Sequence, residues 1–134
     1  MQRNPLSPSE HVEQRTLVRW ASVFAKKYPA LDLLFAIPNG GDRNAITGSL
    51  LKAEGVKPGV PDLCLPVPSG DHHGLFIELK RESARPKRAG KGGVSTAQRW
   101  WLDSLAEQGF RTEVCFGAKH AIEIIEHYLG EGDE

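Results

Sequence analysis

The sequence lacks the features that mark membrane-spanning, secreted and zinc-binding proteins. None of its apolar runs approaches the ~18 residues of a membrane span, and the first residues lack the apolar core of a signal peptide. Both cysteines, Cys64 and Cys115, fall in apolar strand patterns, which favours buried, reduced thiols and predicts a cytoplasmic protein. The histidines lack the paired spacing of zinc ligands, so we expect solvated surface residues at His72, His73, His120 and His127.

An excess of charge of either sign is also missing. The 17 basic and 17 acidic side chains cancel, and 25% charged with 40% hydrophobic residues is ordinary for one globular domain over 1–134. Nucleic-acid binding would therefore depend on how the charge is distributed. The segment 81–93 holds five basic residues and one acid, and its Pro and Gly content predicts a flexible basic loop over about 81–94. The alternative is a solvated loop without a partner, and the acidic end, 130–134, is expected to fray.

One sequence pattern indicates a specific chemistry. Gly59-Val60-Pro61-Asp62 is followed, sixteen residues after Asp62, by Glu78-Leu79-Lys80 at the end of an apolar strand pattern. Side chains alternate between the faces of a strand, so Glu78 and Lys80 point the same way. Pro61 cannot donate to a ladder and suits the start of a second strand.

The turn residues between these two strands, 66–74, allow an antiparallel hairpin that places Asp62 and Glu78 on neighbouring strands. Two carboxylates suit Mg²⁺ or Mn²⁺ better than Zn²⁺. Such a metal polarises a phosphate and lowers the pKa of a bound water, which Lys80 could orient. The pattern therefore predicts metal-assisted phosphodiester hydrolysis. The alternative is a solvated Glu78–Lys80 ion pair.

A coarse reading of the whole chain predicts a mixed α/β sheet flanked by helices. A capping-box pattern at 7–10 opens a first helix that runs to about Lys27. The remaining expected elements are a strand at 31–37, a helix at 43–54, strands at 62–66 and 74–80, a helix at 95–108, a strand at 111–116 and a helix at 118–129.

These pieces, in this order, resemble a known family. Pro61-Asp62 with Glu78-Leu79-Lys80 is similar to the PD-(D/E)XK nuclease superfamily, and the wider pattern resembles its VRR-NUC branch, in particular short stand-alone members from phages and bacteria. The pattern extends over about 9–129. Its other parts are Glu10 with Gln14, Ile37-Pro38-Asn39-Gly40-Gly41-Asp42-Arg43, Leu51-Lys52-Ala53-Glu54-Gly55-Val56, Gln98 with Trp101 and Leu105, and Gly109.

The resemblance implies a single-domain PD-(D/E)XK (restriction-endonuclease-like) α/β core. It implies a Mg²⁺- or Mn²⁺-dependent endonuclease on DNA, structure-selective for four-way junctions or other branched DNA, acting as a homodimer without an organic cofactor. Asp62, Glu78, the Leu79 carbonyl and Glu10 would bind the metal, with Lys80 and Gln98 completing the catalytic set. The expected DNA contacts are Asn39, Arg43, Arg81, Arg85, Lys87, Arg88 and Lys91.

Several of these residues have structural alternatives. Glu10 could be only the third residue of a capped helix, with Glu13 its nearest rival for the metal site. Gln98 could only close the capping box that Ser95 begins. Asn39 and Arg43 could serve turn geometry alone. Trp100 could stack on a base or pack against a partner subunit.

A different class of function also fits the sequence. The same fold could be a non-catalytic nucleic-acid-binding module, or a subunit of a larger nuclease or packaging machine. The intact set of Asp62, Glu78 and Lys80 argues against both.

Overall fold

The structure, a computed structural model, describes residues 8–38, 45–87 and 93–131. It contains four α-helices and four β-strands within these residues, plus two short 3-10 turns, Pro29–Leu33 and Glu82–Ala84. The elements are α1 (Glu10–Phe24), β1 (Phe35–Ala36), α2 (Ala45–Ala53), β2 (Leu63–Leu65), β3 (Leu75–Lys80), α3 (Thr96–Glu107), β4 (Arg111–Phe116) and α4 (Ala118–Glu131). This order confirms the predicted alternation of helices and strands.

The four strands form one mixed sheet in the order β1-β2-β3-β4. β1 and β2 are antiparallel, β2 and β3 are antiparallel, and β3 and β4 are parallel. The parallel pair is joined through α3, because parallel strands need a crossover connection. The fold class is therefore the predicted mixed α/β sheet flanked by helices.

The core lies where α1 and α4 cover the sheet. Apolar side chains of β2, β3 and β4 meet Leu17 of α1 and Ile125 of α4, both fully buried. Tyr128 is also fully buried, and its hydroxyl donates to the Val67 carbonyl at 2.6 Å. This packing holds β3, the strand that carries Glu78 and Lys80, at the centre of the domain. Among the described residues no helix is long and apolar enough to cross a membrane.

The expected strand at 31–37 is wrong over most of its length. Pro29 begins a 3-10 turn, since its fixed φ and missing N–H suit the first position of a helical turn. Only Phe35 and Ala36 pair with β2. Leu33 is 55% exposed and Phe35 is 49% exposed, so this segment lacks the buried face that would favour a longer strand.

Three further expectations need correction. Ser9 caps α1, accepting from the Val12 N–H at 3.3 Å, so Glu10 is the first helical residue and takes no part in a capping box. The basic loop is not irregular throughout, because 82–84 form a 3-10 turn. His120 is not a solvated surface residue: its Nδ1 accepts from the Phe116 N–H at 3.0 Å, and burial lowers its pKa.

Candidate active site

The β2–β3 hairpin brings the two predicted carboxylates together. Leu63 pairs with Ile77 in the antiparallel ladder, so continuing the register by one residue places Asp62 opposite Glu78. The Asp62 carboxylate also accepts from the Leu79 N–H at 2.7 Å, which fixes it against β3. The expectation of neighbouring strands carrying Asp62 and Glu78 is confirmed.

Lys80 and Gln98 complete a hydrogen-bonded group around Glu78. The Lys80 ammonium lies 3.6 Å from Glu78 Oε2, on the same strand face as predicted. Gln98 donates through Nε2 to Glu78 Oε2 at 3.2 Å, and its Oε1 accepts from Lys80 Nζ at 3.1 Å. Gln98 therefore holds both the carboxylate and the ammonium in place.

Gln98 belongs to a capping box as well. Its Oε1 accepts from the Ser95 N–H at 2.8 Å, while Ser95 Oγ accepts from the Gln98 N–H at 3.1 Å. Gln98 thus closes the capping box and also contacts Glu78 and Lys80, while its catalytic role stays a prediction. The capping box fixes the first turn of α3, and that turn presents the amide to Glu78.

Close packing of Gly59 on α3 sets the position of Asp62. Gly59 has φ +86°, and a Cβ at this position would lie 2.7 Å from the Ala97 carbonyl carbon. Both the backbone conformation and the lack of space require glycine. The residues between Gly59 and Asp62 then run directly into β2, so the glycine of the motif seats the strand start beside the helix that carries Gln98.

Burial raises the pKa of both carboxyl groups, and the charge of Asp62 adds to the shift at Glu78. Burial and the charge of Asp62 raise the pKa of Glu78 to about 8, although Lys80 opposes this shift. Burial also raises the pKa of Asp62, against the hydrogen bond from Leu79. A buried and a half-buried carboxyl group that both resist ionisation are typical of a functional site.

The donor set fits a hard divalent cation. Glu78 Oε1 is buried, and no hydrogen-bond donor among the described residues reaches it. A cation bound there would satisfy this oxygen and relieve the repulsion between the two carboxylates. In the described part of the chain, however, no group of three or more His, Cys, Asp or Glu side chains stands close enough to hold a metal. The remaining ligands would have to be backbone oxygen, water or substrate.

These residues open into a cleft of about 610 Å³, which we call the carboxylate cleft. Asp62, Glu78, Gln98 and Ser95 form one part of its lining. Lys52 of α2 and Lys57 line it as well, and both are exposed. The cleft thus combines paired carboxylates with lysines able to neutralise a phosphate backbone.

Comparison with known proteins decides the family. Residues 9–119 match the VRR-NUC domain family. The chain belongs to this family. A solved structure of a "VRR_NUC domain protein" is similar to the chain with a TM-score of 0.72 and 26% identity, over 93% of this chain and 91% of that one. A search of curated proteins found no significant match. The family is of nuclease type, so the chain carries a nuclease-type domain.

Glu10 and Glu13 of this VRR-NUC domain have different surroundings. Glu10 is exposed, lines the carboxylate cleft and adds its negative charge to the field at Glu78. Glu13 is 7% exposed and accepts from two backbone N–H groups, those of Ala118 and Glu82, each at 3.2 Å. The structure therefore brings Glu10, and not Glu13, to the candidate site.

Glu13 joins α1 to the end of β3 and to the start of α4. Gly117 permits this arrangement, because its φ is +93° and a Cβ there would lie 3.0 Å from Glu13 Oε2. Lys80 lies two residues before Glu82, whose N–H donates to Glu13. The buried carboxylate thus ties the helix that carries Glu10 to the strand that carries Lys80.

The predicted DNA contacts are distributed differently. Arg85 lies over the Phe116 ring, 5.8 Å from its centroid, and lines a separate cavity of about 400 Å³ with no residue in common with the carboxylate cleft. Arg81 is half-buried and Lys87 is exposed. Asn39, Arg43, Arg88 and Lys91 lie outside the described residues.

Sequence reasoning assigned no role to Lys52 and Lys57, although both line the cleft. The segment 81–93 was predicted to contact DNA because its five basic residues are clustered, whereas these lysines are isolated along the chain. One signal could have found Lys57. Lys57-Pro58 directly precedes Gly59, so the lysine had to lie near Asp62.

Proposed function

We propose that the protein is a divalent-metal-dependent endonuclease that hydrolyses DNA phosphodiester bonds. The observation that carries this proposal is the juxtaposition of Asp62, Glu78 and Lys80 through the register of one hairpin, with Gln98 bonded to both Glu78 and Lys80. Membership of a nuclease-type family supports the same chemistry.

Mg²⁺ or Mn²⁺ would bind to Asp62 and Glu78, with the Leu79 carbonyl as a further ligand and Glu10 at the rim of the cleft. When bound, the metal supplies Lewis acidity toward the phosphate and lowers the pKa of its water. Glu78 is presented with one unsatisfied buried oxygen, which is the property expected of a ligand. Asp62 keeps one oxygen occupied by the Leu79 N–H, which orients the carboxylate.

Lys80 would orient the attacking water and stabilise the charge that develops on the phosphate. Its side chain is only 14% exposed, so the ammonium acts where water screens little. The carbonyl of Gln98 restricts Lys80 to one position through a hydrogen bond of 3.1 Å. Lys52 and Lys57 at the cleft wall would hold flanking phosphates.

The finer expectations belong to this proposal. We propose a homodimer selective for four-way junctions or other branched DNA, since a two-fold dimer would present two sites to a symmetric substrate. A cytoplasmic location is supported by the burial of Cys64 and Cys115 as free thiols. Burial raises the pKa of the Cys115 thiol to about 12, which keeps it protonated and inert.

The test is a cleavage assay on four-way junction, flap, nicked and linear DNA, with Mg²⁺, Mn²⁺ or EDTA. We expect metal-dependent cleavage of branched DNA by the wild type, no cleavage in EDTA, and loss of cleavage in Asp62→Ala. Light scattering gives the oligomeric state of both proteins. Cleavage that persists in EDTA or in Asp62→Ala would overturn the mechanism. DNA binding without turnover on every substrate would favour the non-catalytic module instead.

Gln98→Glu separates the two roles of Gln98. Glutamate suits this position of a capping box, so α3 should keep its N-terminal cap and the variant should still fold. It cannot donate to Glu78, however, and places a third carboxylate against the pair. We expect cleavage to fall about 10- to 100-fold, as for other residues that orient metal ligands. Initial rates and thermal unfolding of the same preparation measure the two effects. A cleavage rate equal to that of the wild type would mean that Gln98 only caps α3 and has no role in cleavage.

A further inference from the structure

A second cavity lies beside the carboxylate cleft. It measures about 420 Å³ and is lined by Lys57, Pro58, Ala97, Trp100 and Trp101, a set that we call the tryptophan pocket. The side chains that line the pocket are apolar except for the lysine ammonium and the indole nitrogens. A cavity of this size and chemistry suits a flat, largely apolar group.

The two indoles provide the flat surface. Trp100 is 61% exposed, more than any other large aromatic residue in the described part of the chain. Its ring is perpendicular to that of Trp101, with centroids 5.3 Å apart and planes at 89°. Trp101 thus supports Trp100 by an edge-to-face contact and leaves an indole face for a ligand.

The tryptophan pocket shares a wall with the carboxylate cleft. Lys57, Pro58 and Ala97 line both. Along α3, Gln98 faces the carboxylates, and Trp101 follows three residues later, an axial distance of about 4.5 Å. A ligand that reaches both cavities therefore needs its reactive group and its flat group next to each other, as phosphate and base are in one nucleotide.

We propose that the tryptophan pocket stacks an unpaired nucleobase of the DNA strand that is cleaved, next to the scissile phosphate. This inference rests on the proposed function and deepens it by naming the substrate class: DNA with an unstacked or single-stranded nucleotide at the cleavage site. Stacking on an aromatic face accepts every base, whereas a base inside an intact duplex has no face available. Lys57, which lines both cavities, is placed to contact the backbone phosphate next to the stacked nucleotide.

A second copy of the chain fits this pocket less well. A stable protein interface takes roughly 20–30 residues from each partner, and the tryptophan pocket has five. Its wall is shared with a cleft rich in charge, whereas the centre of a protein interface is depleted of charged residues.

The experiment removes either the base or the indole and measures binding. The substrate is a fluorescent branched DNA with a single-stranded arm. In a series of such DNAs, an abasic nucleotide replaces the normal nucleotide at one position after another, and the Kd of each is measured by anisotropy with Mg²⁺. The proteins carry Lys80→Met to slow turnover during the binding measurement, alone or with Trp100→Ala, Trp100→Phe or Val23→Ala. Val23 is 64% exposed on α1 and serves as the control for loss of an exposed apolar side chain.

We expect one abasic position to weaken binding about 5- to 100-fold when Trp100 is present. The same abasic position should have no further effect in Trp100→Ala, while Trp100→Phe retains most of it and Val23→Ala retains all. An abasic effect of equal size in Trp100→Ala would overturn the proposal. A second result would also overturn it: Trp100→Ala loses affinity equally for branched DNA and for linear duplex, and light scattering shows that a dimer has dissociated.

This measurement does not depend on cleavage. If the Lys80→Met protein shows the abasic effect but the wild type never cuts DNA, the hydrolytic function is refuted and the base-stacking pocket stands. If the wild type cuts DNA but the Lys80→Met protein shows no abasic effect, the pocket alone is refuted.

Discussion

Replacing Lys80 with methionine should lower kcat for DNA cleavage about 10²- to 10³-fold, the range measured when one preorganised electrostatic donor is removed from an active site. Methionine keeps the length and apolar stem of the lysine side chain, so the packing of β3 is preserved. The variant loses the ammonium that lies 3.6 Å from Glu78 and 3.1 Å from the Gln98 carbonyl oxygen. DNA affinity should change little, because Lys52 and Lys57 remain at the wall of the cleft.

Single-turnover cleavage with Mg²⁺ and anisotropy binding of the same DNA separate the two quantities. Lys26→Met is the matched control, since Lys26 is an exposed lysine near the end of α1 and lines neither the carboxylate cleft nor the tryptophan pocket. It should cleave at the wild-type rate. If Lys80→Met lost affinity in proportion to its rate, Lys80 would be a phosphate contact and not part of the chemistry.

The centre of the site could be predicted because it depends on strand geometry. Alternation by two residues puts Glu78 and Lys80 on one face whatever surrounds them, and the turn-rich segment after Leu65 leaves few alternatives to a hairpin. The order of residues then sufficed to place Asp62 and Glu78 on neighbouring strands. The capping box at Ser95 is equally local, so the placement of Gln98 at the start of α3 followed from the sequence.

The parts that failed depend on tertiary contacts. The apolar residues of 31–37 look like a strand, but only Leu31 is buried, Leu34 packs against the core from its edge, and Pro29 begins a 3-10 turn before them. The role of Glu13 is invisible in sequence, because its partners, the N–H groups of Glu82 and Ala118, are 69 and 105 residues away. Likewise, Lys57 and Trp100 share a cavity only because Gly59 packs on Ala97.

Glu78→Gln should raise the stability of the metal-free protein at pH 8 while it abolishes cleavage. Burial and the Asp62 charge raise the pKa of Glu78 to about 8, from an ordinary value of 4.5. Between these values the folded state binds more protons at Glu78 than the unfolded state does. The stability of the wild type therefore falls as the pH rises from about 4.5 to 8, by at most about 1.4 kcal/mol per pH unit for one group. Asp62, whose pKa burial also raises, acts in the same direction.

The glutamine variant removes this dependence. Its amide is neutral at every pH, and its oxygen can still accept from Gln98, so unfolding in EDTA should occur at a higher temperature than in the wild type at pH 8 and at a similar one at pH 5. The comparison is thermal unfolding of both proteins between pH 5 and 8, repeated with Mg²⁺. The metal should stabilise the wild type by binding only the folded state and leave Glu78→Gln almost unchanged.

Glu13→Gln is the same chemical change as Glu78→Gln, but it should lower the stability of the protein. Both oxygens of Glu13 accept backbone N–H groups at 3.2 Å, so an amide would turn one acceptor into a donor facing a donor. That variant should lose about 1–3 kcal/mol of unfolding free energy, the cost of an unsatisfied buried group. The two buried glutamates thus differ in their hydrogen bonds: both oxygens of Glu13 accept a backbone N–H, whereas Oε1 of Glu78 has no donor among the described residues. A metal-free Glu78→Gln protein less stable than the wild type at pH 8 would mean that Glu78, like Glu13, is a structural carboxylate and not a ligand held ready for a cation.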